Sequence, residues 1–231
     1  MGSKSATALS LSFVLGRLAP IHAVPAPRAS AFALIVHENI GYLIDDLRRE
    51  QLFQEFESRI GLDAEKIIRA PDSLLMDIAR RGGMRPDTRL ERWRRIAEIV
   101  LTDCGGNLDA HLRSLPISHA RKLLKKFPAI GDPGADRILL FSGLDARPAL
   151  ESNGLRVLVR LGLVGAANAY AASHRAAIGY LAHASAPDRR QYVSAYMLLR
   201  EHGRAVCKRT GPHCMACPLD TICEHAPAKG L

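Results

Sequence analysis

Apolar residues recur along this chain at intervals of three and four, the spacing that gathers side chains on one face of an α-helix. Thr7 to Leu18 predicts a first helix, and Pro20, Pro25 and Pro27 make the stretch after it a connector. Ala31 to Arg49 keeps helical spacing through Leu34, Ile35, Ile40, Leu43, Ile44 and Leu47, so it is predicted to be one helix. Asp63 is a side-chain cap for Ala64 to Arg69, and Pro71-Asp72 opens another helix over Ser73 to Arg80. Gly82-Gly83 then interrupts the pattern. From about Asp87 to Asp103, Leu90, Trp93, Ala97, Val100 and Leu101 share a face, and Glu91 stands four residues before Arg95. Gly105-Gly106 ends that helix. Leu108 to Leu112 forms a short turn of helix, and Ser118 to Phe127 a longer one with Arg121, Lys122, Lys125 and Lys126 on a basic face. Later helices are predicted at about Leu155 to Leu161, Ala167 to His183 and Pro187 to His202. No segment alternates with the period of a strand, and no internal repeat stands out. The expectation is an all-α chain.

Composition agrees with this reading. Apolar residues make up 48% of the 231 and aromatic residues 5%, with Leu, Ala and Arg abundant, which suits helices better than a β-sandwich. A chain of this length buries a real core, in one large domain or two small ones. Charge adds more: a formal net charge of +9 points to a polyanionic partner. A membrane span is not expected, because the apolar run Leu9 to Leu18 is short and holds Ser10, Ser12 and Arg17. Residues 1–37 contain no acidic residue, and Ala23-Val24-Pro25-Ala26 has the look of a cleavage site, a mild likeness to a targeting peptide. A helix and a Pro-rich connector is the reading preferred for them.

The most specific chemistry lies near the C-terminus. Cys207, Cys214, Cys217 and Cys223 are spaced C-x6-C-x2-C-x5-C, whereas the preceding 206 residues hold one cysteine, Cys104. Four thiolates this close in sequence can converge on one centre, either a [4Fe–4S] cluster or a zinc ion. A zinc ribbon offers two C-x2-C knuckles held well apart, and here only Cys214 and Cys217 form one. Upstream, Phe127-Pro128-Ala129-Ile130-Gly131-Asp132-Pro133-Gly134-Ala135 makes a tight turn between two helices, the second starting near Ala135. Backbone N–H groups exposed at such a turn suit an anion, and on DNA they would grip phosphate without reading sequence. Glu151 then stands at the start of a helix, where a carboxylate can cap the first turn or do chemistry.

These segments resemble the endonuclease III family of helix-hairpin-helix DNA glycosylases. The cysteine spacing is similar to the cluster loop that closes that family, and His202-Gly203-Arg204 matches the His-Gly-Arg that precedes the loop. The hairpin resembles the family's Leu-Pro-Gly-Val-Gly run in keeping Pro128, a branched Ile130, Gly131 and Ala135. It departs in placing Ala129 at the first glycine, and in placing Pro133 where the lyase-competent members carry a Schiff-base lysine. Leu150-Glu151-Ser152-Asn153-Gly154-Leu155-Arg156 aligns without a gap to the family's acid segment, which puts Glu151 on the catalytic aspartate.

The resemblance implies a two-lobed fold: a helical barrel over about 20–145 that contains the hairpin (118–142), and a second lobe joining 1–19 to 146–231 with the cluster loop at 207–223. It implies Cys207, Cys214, Cys217 and Cys223 as ligands of a [4Fe–4S] cluster, with structural zinc as the alternative. Glu151 is implied as the catalytic acid, and Glu38 is a second candidate. Asn39, Lys125, Lys126, Ile130, Gly131, Gly134, Lys208 and Arg209 are implied as DNA contacts, with Asn39 filling the gap left by an extruded base. His37, Tyr42 and Asn153 are implied as pocket residues. The function expected is excision of a damaged or mismatched base from double-stranded DNA by a monomeric, monofunctional glycosylase. The alternative is an iron–sulphur DNA-binding protein of the same fold without catalysis. A thiolate-bound cluster needs reducing surroundings, so a cytoplasmic, nucleoid-associated site is expected and a membrane is not.

Overall fold

The structure, a computed structural model, describes residues 10–184 and 188–226. Among these the chain forms twelve α-helices and no strand. In chain order they are α1 (Leu11–Leu18), α2 (Ala31–Glu38), α3 (Asp46–Arg59), α4 (Ala64–Arg69), α5 (Asp72–Arg81) and α6 (Pro86–Asp103). There follow α7 (Leu108–Ser114), α8 (Ile117–Leu124), α9 (Asp132–Phe141), α10 (Ser152–Arg160), α11 (Tyr170–Ala184) and α12 (Arg189–Ala205). The all-α expectation holds. Of the first predicted helix, Thr7 to Leu9 lie outside the described residues, and Ser10 caps α1 by accepting from the Phe13 N–H. The chain divides into two compact units: Pro27–Asp145, and the chain up to Ala26 together with the chain from Ala146 onward. The division falls after Ala26 rather than after residue 19.

The unit of residues 27–145 is built around α2. Its residues Ala31 to Val36 are all buried, and α3, α6, α7 and α9 pack against it. A helix apolar on every side has to be covered on every side. Asp109 at the start of α7 takes the free N-terminal donors of α2, accepting from the Ala31 N–H at 2.6 Å and the Ser30 hydroxyl at 2.7 Å. Phe53 and Phe56 of α3 enter the same core, where Phe56 meets Trp93 of α6 edge to face at 4.8 Å.

The single helix predicted over Ala31 to Arg49 is in fact two. α2 stops at Glu38, and the Tyr42 N–H donates to Gly82 O at 2.8 Å, forming an isolated parallel bridge between Tyr42 and Gly83. Leu43 takes φ 57° in this turn. Asp45 then starts α3 by accepting from the Arg48 N–H at 2.8 Å. The apolar period runs through the break by coincidence: Leu43 and Leu47, counted on the buried face, are 73% and 71% exposed. α3 continues to Arg59, where no helix was predicted beyond Arg49, although Leu52, Phe53, Phe56 and Ile60 have helical spacing and are buried.

The other unit packs Leu11, Val14, Leu15 and Leu18 of α1 into a core with α10, α11 and α12, through Leu155, Leu158, Leu181, Leu198 and Leu199. α10 and α12 cross closely because both are glycine at the contact. A Cβ on Gly203 would stand 2.4 Å from Asn153 O of α10, and one on Gly154 would stand 3.3 Å from Leu199 Cβ of α12. α11 begins at Tyr170 rather than Ala167, and α12 runs past His202 to Ala205.

Arg89 of α6 is 4% exposed and donates to three carbonyls, Ala79 at 2.5 Å, Gly82 at 2.6 Å and Met84 at 2.9 Å. It thereby fixes the turn that bridges to Tyr42. Burial lowers its pKa, yet the three acceptors satisfy its donors. We expect Arg89→Met to cost about 3 kcal/mol in urea unfolding, because three charge-assisted hydrogen bonds that hold a buried turn are lost together.

Candidate nucleic-acid site and cysteine loop

In the unit that joins the two ends of the chain, Glu151 is the N-cap of α10. Shorter side chains usually fill this position. Here the glutamate turns back, so that Oε1 accepts from the Gly154 N–H at 2.7 Å and Oε2 from Asn153 Nδ2 at 2.8 Å. Asn153 Oδ1 accepts in turn from Arg156 Nη2 at 2.7 Å. The same guanidinium donates to Gly203 O at 2.6 Å and, through Nε, to Cys207 O at 2.8 Å. A continuous hydrogen-bonded chain thus joins the Glu151 carboxylate to the end of α12 and the first cysteine.

One turn along α10, Arg160 continues the connection. Its Nη1 donates to Lys208 O at 2.7 Å and to Cys207 Sγ at 3.4 Å, and its Nη2 to Arg209 O at 3.2 Å. The Cys223 thiol donates to Arg160 O at 3.3 Å. Two 3-10 turns, Cys214–Ala216 and Asp220–Ile222, bend the loop. Cys207, Cys214, Cys217 and Cys223 are all free, and all line one cavity together with Arg160, His213 and His225. Burial pushes the Cys217 thiol pKa up, and its three sister cysteines add to that push, which marks the four as near neighbours. Among the described residues, no three His, Cys, Asp or Glu side chains are placed to hold a single metal ion. Four free thiols around one cavity, with loop carbonyls held by two arginines, are a donor set that fits a cluster of several irons.

A second cavity of about 710 Å³ in this unit is lined by Ser152, Asn153, Arg156, Tyr170, Lys208 and Arg209 among others. Lys208 and Arg209 are exposed. Tyr170 was not foreseen. It is 52% exposed and stacks on His174, whose Nε2 lies 3.0 Å from Leu150 O. The structural roles of Arg156 and Arg160 were also missed; two arginines four apart on a short helix without an acidic partner were the available signal.

The hairpin lies in the other unit. α8 ends at Leu124, and α9 begins at Asp132, three residues before the expected Ala135. Between them Ala129 takes φ 61°, the left-handed conformation that glycine adopts without strain. Gly131 and Gly134 have no such need: neither has a positive φ, and a Cβ on either would meet nothing nearer than 3.5 Å. Lys125 and Lys126 are not free cations in this structure. Lys125 Nζ pairs with Asp132 at 2.7 Å, and Lys126 Nζ with Asp103 at 3.0 Å. Arg121 also reaches Asp132, at 2.9 Å.

Asn39, expected at the DNA surface, is 4% exposed. Its amide donates to Ile35 O at 3.0 Å and to Pro128 O at 2.9 Å, so it holds the hairpin from inside. Ile130, expected to touch DNA, is likewise buried. Glu38 pairs with Arg137 of α9 at 2.9 Å. Burial works to raise its pKa, but the charge and hydrogen bond of Arg137, with Arg49 beyond, hold it below the usual carboxylate range. His37 packs edge to face on Phe53, with Glu50 at 3.7 Å. Tyr42 is 55% exposed on the turn before α3. The structure therefore gathers Glu151, Asn153, Lys208, Arg209 and the four cysteines in one unit, and His37, Glu38, Asn39 and the hairpin in the other.

No family model matches the sequence, and no curated protein matches it. Solved structures do. A thermostable thymine-DNA glycosylase matches with TM-score 0.73 and 15% identity, over 93% of this chain and 94% of that one. Two endonuclease III structures, a trapped covalent DNA intermediate and a non-covalent DNA complex, each match with TM-score 0.72 and 16% identity over the same shares. The chain shares the fold of these solved structures.

Two consequences can be measured. Ala129→Gly should stabilise the protein by about 1 kcal/mol, because glycine adopts the left-handed conformation without the Cβ clash. Burial, with Arg28 and Arg49 nearby, lowers the His37 pKa to about 4 from 6.5, against the pull of Glu50. The unfolded chain then binds the proton more readily than the folded one. Stability is intact above pH 6.5 and falls as pH drops through the window from 6.5 to about 4. His37→Gln should recover about 2 kcal/mol of that acid loss in unfolding titrations.

Proposed function

We propose that this chain is a DNA glycosylase of base excision repair, acting by hydrolysis of the N-glycosidic bond of a flipped-out base. The observation that carries this reading is the Glu151 carboxylate at the head of α10, tied through Asn153 and Arg156 to the cysteine loop. Loss of a base passes through a positively charged, oxocarbenium-like sugar. A carboxylate held in place stabilises that charge and orients or deprotonates the attacking water. The two hydrogen bonds that Glu151 accepts leave further lone pairs on each oxygen for this work.

The hairpin supports DNA as the partner. Gly131 and Gly134 are glycines that neither backbone angle nor internal packing demands, so a close approach from outside is the remaining reason for them. The pairs Lys125–Asp132 and Lys126–Asp103 are exposed and weak, and a phosphate can compete for either lysine. Lys208 and Arg209 supply further positive charge at the cysteine loop. A [4Fe–4S] cluster held by Cys207, Cys214, Cys217 and Cys223 would fix the shape of that loop and so the position of these cations.

Pro133 offers no amine for a Schiff base, and the lysines nearest to it in sequence, Lys122, Lys125 and Lys126, all precede the turn. We therefore assign a monofunctional reaction. A second reading, DNA binding without catalysis, is favoured by one observation: both Glu151 oxygens already accept a hydrogen bond, one from the backbone of α10 and one from the Asn153 amide.

A panel of duplexes with oxidised, deaminated, alkylated and mismatched bases, treated with hot alkali after incubation, separates the two. We expect base release from at least one substrate, reduced about a hundredfold or more in Glu151→Gln, and little covalent adduct with borohydride. Tight binding with no release across the panel would establish the second reading, and abundant adduct would overturn the monofunctional assignment.

A further inference from the structure

The cysteine loop has a polar connection that the proposed reaction does not use. His202, the last-turn histidine of α12, is 1% exposed, and its two ring nitrogens have one neighbour each. Its Nε2 lies 3.4 Å from Cys217 Sγ, and its Nδ1 lies 3.0 Å from His22 Nε2. His22 is 9% exposed, comes from the segment after α1, and meets His202 edge on with ring centroids 5.3 Å apart. Sequence separations of 15 and 180 residues thus close into one line of three side chains.

The direction of the two hydrogen bonds follows from their chemistry. A cysteine bound to iron is a thiolate, which only accepts. The proton facing it therefore sits on His202 Nε2. A neutral ring protonated there leaves Nδ1 as an acceptor, so the proton in the histidine pair belongs to His22 Nε2. Both rings are buried, which favours the neutral form over the charged one. Arg160 provides the comparison: it donates to Cys207 Sγ directly from α10, without an intermediary.

We propose that His22 is a remote positioning residue of the iron–sulphur site, locking His202 in the tautomer that donates its Nε2 proton to the Cys217 sulphur. Donation to a ligand sulphur draws negative charge from it, which stabilises the more reduced cluster and slows its oxidation. Removing the His22 donor frees the His202 ring to take the other tautomer or to turn, and the sulphur loses its partner. This inference rests on the cluster reading above.

The test uses the whole protein purified without oxygen, with iron, sulphide and absorbance near 400 nm measured first. His22→Leu removes the donor. His22→Gln keeps an N–H at a comparable reach and is the rescue. We expect His22→Leu to bind the cluster, to show a more negative midpoint potential, and to bleach about tenfold faster in ferricyanide, the weight of one ordinary hydrogen bond. His22→Gln should remain close to the wild type in both. Equal potentials and bleaching rates in all three proteins would overturn the proposal. So would equal shifts in both variants, which would assign the effect to packing alone. A wild type with four free thiols and no iron would remove the cluster reading itself, and this inference with it.

Discussion

Arg156 is the residue on which the arrangement of the cysteine-bearing unit depends. One planar guanidinium donates to a side chain of its own helix, to the last-turn carbonyl at Gly203 and to the carbonyl of Cys207. No other residue type could do this from one position, because only arginine carries several donors in a fixed fork. The close crossing of α10 and α12 at Gly154 and Gly203 brings those carbonyls within its reach. Packing and hydrogen bonding are consequently one constraint: a side chain at Gly203 would push the carbonyls away from Arg156 and uncouple Glu151 from the loop.

What the sequence disclosed and what it concealed separate along physical lines. Four cysteines within a short loop are a local property, and a loop that short has few ways to keep them apart. The helices over Ala64–Arg69 and Pro86–Asp103 were legible because the Asp63 cap of the first and the apolar face of the second are also local. The break at residues 39–45 was not, because it depends on a bridge from Tyr42 to Gly83, distant in the chain, while the apolar period runs on through it. Asn39 shows a different limit: alignment to a motif gives a position and not a direction, and its side chain turned inward to the Pro128 carbonyl.

The hairpin combines two opposed tendencies. Its glycines leave the backbone open to a close visitor, while Asp132 and Asp103 neutralise the lysines that would attract one. Exposed pairs of this kind carry little energy of their own. They lower the pull on any passing polyanion more than they lower the grip on one already seated, since a bound phosphate can take a carboxylate's place. Strain at Ala129 belongs to the same segment and is supported from inside by Asn39.

The two units also differ in how their parts follow one another in the chain. Pro27–Asp145 is continuous, whereas α1 packs with α10, α11 and α12, which emerge more than a hundred residues later. During synthesis the continuous unit can therefore close while α1, made before it, still waits with its leucines uncovered. Loop closure over so long a separation is slow compared with the local contacts of a helical bundle. The cysteine loop belongs to the unit whose parts are made furthest apart, so under the proposed cluster reading any iron would meet a chain whose continuous half can already be folded.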